Sequence, residues 1–132
     1  MKLEHVALNV ENPVEMAQWY CDNLGMTIVA NIATEPFTHF IADESGRIMI
    51  EIYRNPVDEI PDYRAMNPLL LHLAFVSANP AADSDRLTEK GATMESDTVL
   101  PDGTHLVMLR DPWGLAFQLC KRAKSLLLEK EK

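Results

Sequence analysis

Apolar and polar residues alternate along several short stretches of the chain, and two longer stretches have helical spacing. In the first half, alternation with a period of two predicts four strands, over residues 3–10, 26–31, 37–42 and 47–54. Asn12-Pro13 is typical of a helix start and Gly25 of a helix end, so a helix is expected between the first two strands. The first half therefore reads β-α-β-β-β.

The same order of elements returns in the second half. Four further strands are predicted, over residues 70–76, 93–99, 104–110 and 115–121. A more polar helix over 81–90 follows Asn79-Pro80 and ends at Gly91. Residues 55–68 hold three prolines and mixed charge, which indicates a surface linker. Residues 123–132 are predicted to form a short helical tail.

The two halves are related by an offset of 67 residues (72 − 5). At this offset His5, Ala7, Asn12 and Pro13 fall on His72, Ala74, Asn79 and Pro80. The same offset carries Glu51 onto Gln118. Such an internal repeat fixes the architecture, and it selects four polar residues set in apolar strands: His5, Glu51, His72 and Gln118.

These four residues are candidates for a metal site. Glu51 shares its strand face with Met49 and Tyr53, and Gln118 shares its face with Ala116 and Cys120, which is not a solvent-facing pattern. A histidine in such surroundings is often a hydrogen-bonded structural residue, but two at equivalent positions favour a shared role. Imidazole nitrogens with carboxylate and amide oxygens suit nickel, zinc, cobalt, manganese or ferrous iron.

Composition narrows the class of protein. The 132 residues, 47% of them hydrophobic, suit one domain or two small modules. A net charge of −8, from 12 basic and 20 acidic residues, argues against nucleic acid as the main partner. No apolar run is long enough to span a membrane and no signal peptide is evident. Cys21 and Cys120 form no CxxC motif. A cytoplasmic protein is expected.

The opening pattern and the closing Asp111-Pro112-Trp113-Gly114, followed by Phe117-Gln118-Leu119, resemble the vicinal-oxygen-chelate superfamily. This superfamily includes glyoxalase I, methylmalonyl-CoA epimerase, extradiol dioxygenases and bleomycin resistance proteins. The resemblance covers residues 1–122. It implies an α+β fold in which two tandem βαβββ modules, over 1–54 and 69–122, form a cupped, incomplete β-barrel around a metal.

In the superfamily the metal ligands come from the first and fourth strands of each module. The matching positions here are His5 and Glu51, then His72 and Gln118. The sequence departs from the usual pattern at Gln118, where the family commonly has a glutamate that acts as ligand and base. An amide cannot accept a proton at neutral pH, so the resemblance implies that Glu51 is the catalytic base.

The function that the resemblance favours is a metal-dependent lyase or isomerase of the glyoxalase I or epimerase type. Its partner would be a small molecule with vicinal oxygens, and a homodimer is expected. Two alternatives stay open: a non-haem metal-dependent ring-cleaving dioxygenase, and a metal-free small-molecule binding or resistance protein. Tyr53 and Cys120 are candidates for substrate contact, whereas structural or surface roles are favoured for His39 and His105.

Overall fold

The computed structural model describes residues 1–127, and the chain divides into two compact units. The first unit comprises residues 1–61 and the second begins at Asp62. The predicted helical tail over 123–132 lies partly outside the described residues. Its described part, 123–127, is irregular, with bends at 123–124 and 126–127.

The first unit has the predicted β-α-β-β-β order. Its elements are β1 (His5–Asn9), α1 (Pro13–Leu24), β2 (Thr27–Asn31), β3 (His39–Ala42) and β4 (Met49–Tyr53).

The second unit repeats this order after a short 3-10 helix (Tyr63–Ala65). Its elements are β5 (Leu73–Val76), α2 (Pro80–Glu89), β6 (Thr93–Val99), β7 (His105–Arg110) and β8 (Ala116–Lys121).

Each unit contains a four-stranded mixed sheet with the same topology. The strand orders are β1-β4-β3-β2 and β5-β8-β7-β6, and the first strand of each unit pairs in parallel with the last. A parallel pair needs a crossover connection, and a helix supplies part of it in both units. Neither four-stranded sheet is closed into a barrel by itself. The α+β fold with two βαβββ modules is therefore confirmed.

One face of each sheet is covered by its helix. In the first unit the buried side chains of Met16, Ala17 and Tyr20 come from α1, which packs on the side of the sheet that carries Ile41 and Ile52. In the second unit Leu87 of α2 is fully buried, and the sheet beneath contributes a second apolar set: Val107, Leu109, Phe117 and Leu119. Because side chains alternate along a strand, Glu51 and Gln118 each lie on the face of their own sheet that is opposite the helix.

The two helix starts differ in detail. The Asn79 side chain accepts a hydrogen bond from the backbone N–H of Ala82 at 3.1 Å, as expected of an N-cap. Asn12 makes no such side-chain bond within the described residues, although its carbonyl accepts from the N–H of Met16 at 2.9 Å. Gly25 follows α1 in the left-handed conformation, with φ of 68°, as predicted.

A one-residue bulge interrupts the outer strand of each sheet. In β2 the register shifts between Ile28 and Ala30, and in β6 it shifts between Met94 and Ser96. The extra residues are therefore Val29 and Glu95. A bulge bends its strand and redirects the side chain that it carries.

Only part of the segment 55–68, which the sequence predicts to be a surface linker, lies at the surface. Tyr63 is buried, and the carbonyl oxygens of Tyr63 and Met66 accept hydrogen bonds from the buried guanidinium of Arg110 at 2.9 Å. The second half of the segment therefore belongs to the packed body of the second unit. Among residues 1–127 we find no helix long and apolar enough to cross a membrane.

Gly114 and Gly103 form a matched pair for testing this packing. Both have positive φ, 95° and 92°, but a Cβ on Gly114 would lie 2.8 Å from the backbone of Arg64, whereas a Cβ on Gly103 would meet open space. We expect Gly103→Ala to lower the free energy of unfolding by about 1–3 kcal/mol through backbone strain. Gly114→Ala should cost about 4 kcal/mol or more, because the backbone contact cannot relax cheaply. Urea denaturation measures both, and equal losses would contradict the packing described.

Candidate functional site

His5 and Glu51 lie side by side in the first unit. Glu51 pairs with Ala7 across the parallel β1–β4 ladder, and His5 lies two residues before Ala7 on the same face. The Nε2 atom of His5 and the Oε2 atom of Glu51 are 3.0 Å apart. The two side chains are 36% and 21% exposed, so the pair is accessible to a small ligand while partly shielded from water.

Both ring nitrogens of His5 face carboxylates. Its Nδ1 atom lies 3.0 Å from Oε1 of Glu4, whose side chain is largely exposed. The His5 ring forms a T-shaped pair with Phe40, with ring centroids 5.8 Å apart and planes at 89°. Two carboxylates on one imidazole are both satisfied when each ring nitrogen carries a proton, or when a cation takes the place of the proton on Nε2.

Asn9 lies at the far end of the same face, and sequence reasoning did not single it out as a functional residue. Its side-chain amide donates to the carbonyl oxygens of Asn55 and Glu59 at 3.0 and 3.3 Å, and its oxygen accepts from the N–H of Asn55 at 2.8 Å. These bonds tie the segment after β4 to the end of β1. Tyr53 is the register partner of Asn9, which agrees with its predicted place on the Glu51 face.

Gln118 occupies the equivalent place in the second unit. It pairs with Ala74 of β5, as Glu51 pairs with Ala7 of β1. Its Oε1 atom accepts a hydrogen bond from the Cys120 thiol at 3.1 Å. Burial raises the pKa of that thiol, an effect that the nearby charge of Arg122 opposes. The thiol therefore keeps its proton at neutral pH and remains the donor.

His72 lies one residue before β5 and is oriented by the backbone. Its Nδ1 atom is 2.8 Å from the carbonyl oxygen of Pro68. A carbonyl only accepts, so Nδ1 carries the proton, and in the neutral ring the lone pair is on Nε2. A histidine that binds a metal commonly has this arrangement, with its other nitrogen held by a carbonyl or carboxylate.

The donors in each unit are compatible with a metal, although a metal site is not confirmed. Nε2 of His5 and Oε2 of Glu51 lie 3.0 Å apart, so both could serve as ligands of one ion. Within residues 1–127, however, no three His, Cys, Asp or Glu side chains form a group that could hold a metal. Each unit supplies two of the four predicted ligands.

His39 and His105 lie away from the Glu51 and Gln118 faces. His39 pairs with Ile52, on the side of the sheet that the helix covers, and its Nδ1 donates to the carbonyl of Phe37 at 2.6 Å. His105 lies 2.6 Å from Asp97. These contacts are those of structural or surface histidines.

A known protein family and several solved structures share this architecture. The chain matches the model of the Glyoxalase/Bleomycin resistance protein/Dioxygenase superfamily over residues 2–119. No curated protein matches it. Among solved structures it is similar to a member of that superfamily from Sphaerobacter thermophilus DSM 20745, with a TM-score of 0.72, 15% identity, and coverage of 92% of this chain and 98% of the other.

Two further solved structures of similar fold belong to proteins whose names indicate two different functions. The antibiotic binding protein TnmS3 from Streptomyces sp. CB03234 gives a TM-score of 0.69 at 17% identity, covering 91% of this chain and 94% of the other. A lactoylglutathione lyase from Agrobacterium tumefaciens gives 0.64 at 20% identity, covering 89% and 91%. At these identities the likeness concerns the fold alone. The match to the family model spans most of the sequence, and the chain therefore belongs to the Glyoxalase/Bleomycin resistance protein/Dioxygenase superfamily.

Proposed function

We propose that this protein is a metal-dependent lyase or isomerase that abstracts a proton next to a carbonyl of a small molecule with vicinal oxygens. The observation that carries the proposal is the His5–Glu51 pair, 3.0 Å apart on adjacent strands. The repeat supports the proposal, since the corresponding repeat positions in the second unit, His72 and Gln118, also carry a nitrogen and an oxygen donor.

In this proposal one divalent ion of nickel, zinc, cobalt, manganese or iron would be held by four residues: His5, Glu51, His72 and Gln118. When bound, such an ion polarises the carbonyl and stabilises the negative charge that develops on its oxygen. His5 and His72 contribute neutral nitrogens through Nε2. Gln118 contributes its amide oxygen, which Cys120 already orients.

Glu51 is the proposed general base. It is the one carboxylate among the four proposed ligands, and Gln118 cannot take a proton at neutral pH. The Oε2 atom of Glu51 lies 3.0 Å from Nε2 of His5, so the two proposed ligand atoms lie next to each other on one face of the sheet. Asn9 holds the segment 55–59 at the end of this face, where it would limit the space for the substrate.

The second candidate function is binding of a small molecule without metal or chemistry. It is favoured by the neutral amide at Gln118, which leaves the proposed ligand set one negative charge short of the family's usual set. The third alternative, a ring-cleaving dioxygenase, rests on the ligand set of two histidines and a carboxylate, which is also used by non-haem iron oxygenases. A homodimer is proposed on the basis of the resemblance alone.

Metal content distinguishes the first two candidates. Protein purified without chelators, or loaded with nickel, zinc, cobalt or iron, should contain about one ion per chain by elemental analysis. His72→Ala should lose this ion, because one of the nitrogen donors is removed. His105→Ala is the matched control and should keep it. An equal loss in both variants, or no ion in the wild type after loading, would contradict the metal proposal and favour the binding function.

Replacement of Glu51 tests the assignment of the base. Glu51→Gln keeps an oxygen donor but removes the basic carboxylate, so turnover should fall by about 10²–10⁴-fold while metal content falls much less. Hemithioacetals, acyl-CoA epimers and catechols are the substrates to screen, with oxygen uptake recorded for the catechols. Glu15→Gln, at an exposed position on α1, is the control. Unchanged turnover in Glu51→Gln would rule out this role.

A further inference from the structure

We infer that Arg110 is a positioning residue for His72, which it orients by anchoring the segment 63–68. The inference deepens the proposed function and rests on His72 being a metal ligand. Arg110 touches neither His72 nor any other proposed ligand in the described contacts, so its effect would pass through the backbone.

Arg110 is bound through every nitrogen of its guanidinium. Nη1 donates to the carbonyl oxygens of Tyr63 and Gly114 at 2.9 and 3.0 Å, Nη2 donates to that of Met66 at 2.9 Å, and Nε donates to Glu95 at 2.5 Å. Arg110 is only 8% exposed. A planar guanidinium with fixed donors can hold several carbonyls in one geometry, which a lysine ammonium cannot do.

The bulge in β6 carries the carboxylate that neutralises Arg110. Glu95 is the extra residue of that bulge, and its carboxylate accepts the Nε–H of Arg110. A buried guanidinium without a negative partner would be costly. The corresponding extra residue in β2 is Val29, and the position that corresponds to Arg110 at the 67-residue offset is Asp43. This anchor is therefore a feature of the second unit.

A short chain of backbone contacts leads from Arg110 to His72. The carbonyl of Met66 is held by Arg110. The next residue, Asn67, starts a tight turn. In this turn the Asn67 side-chain oxygen accepts a hydrogen bond from the N–H of Leu69, and the Asn67 carbonyl accepts one from the N–H of Leu70, both at 2.9 Å. Within this turn the carbonyl of Pro68 accepts the Nδ1–H of His72 at 2.8 Å. The direction of that carbonyl thus depends on an anchored segment.

The corresponding histidine of the first unit is held differently. Nδ1 of His5 faces Glu4, whose side chain is 72% exposed and belongs to the preceding residue. A long exposed side chain has many rotamers, whereas the carbonyl of Pro68 is part of an anchored turn. We therefore expect His72 to be set in one tautomer before any metal binds, and His5 to depend far less on distant residues.

The experiment compares the wild type with Arg110→Lys, Asn67→Ala and the control Arg86→Lys, which alters an exposed arginine of α2 in the same unit. Imidazole ¹⁵N NMR of the metal-free proteins at alkaline pH reports the tautomer of each histidine, and calorimetry with Ni²⁺ reports affinity. In the wild type His72 should carry its proton on Nδ1. Arg110→Lys should mix the tautomers of His72 alone and weaken Ni²⁺ binding about 10–100-fold.

Asn67→Ala should act in the same direction with a smaller effect, and it decides the matter if Arg110→Lys does not fold. Arg86→Lys should change nothing. A wild-type His72 protonated on Nε2, or folded variants with unchanged tautomer and affinity, would overturn the inference while leaving a metal-binding wild type intact. A locked tautomer that is lost in the variants, in a protein that binds no Ni²⁺, would instead support the anchor and refute the proposed metal.

Discussion

The parallel pairing of the first strand with the last is the interaction on which the rest of each unit depends. It brings together residues 46 positions apart, His5 beside Glu51 in the first unit, and it sets Gln118 next to the strand that His72 precedes. A parallel neighbour cannot be reached by a tight turn, so a long connection is needed, and here the helix and two further strands supply it. The helix in this connection supplies the apolar cover for one face of the sheet, and the other face carries Glu51 in the first unit and Gln118 in the second.

The two units carry their polar donors at corresponding positions, but different residues hold those donors in place. In the first unit the polar pair is joined directly, histidine to carboxylate, and the segment after β4 is fastened by Asn9. In the second unit His72 is held by Pro68 and Gln118 by Cys120, and the segment before β5 is fastened by Arg110. A duplicated fold thus retains the positions of its donors while the residues that orient them have diverged.

The repeat in the sequence predicted the elements and the faces because both depend on local periodicity. The order of strands, the place of Glu51 opposite the helix and the location of Gly25 all follow from residues within one element or turn. Arg110 could not be predicted, since its partners are mostly backbone carbonyls up to 47 residues away, and carbonyls leave no mark in a sequence. The same holds for Asn9. Asn12 shows the reverse case, in which a good capping residue leaves its side chain out of the cap.

The bulges in the outer strands have a consequence for how this protein behaves in a crowded solution. Every residue of β6 is exposed, and Met94 and Val99 are apolar, so an unbroken strand here would offer a template on which other chains could pair. The shift at Glu95 interrupts the ladder and puts a carboxylate at the break. The residue that neutralises Arg110 thus lies where it would also discourage cross-β association, so its loss would expose the protein to aggregation as well as to misfolding of the turn before His72.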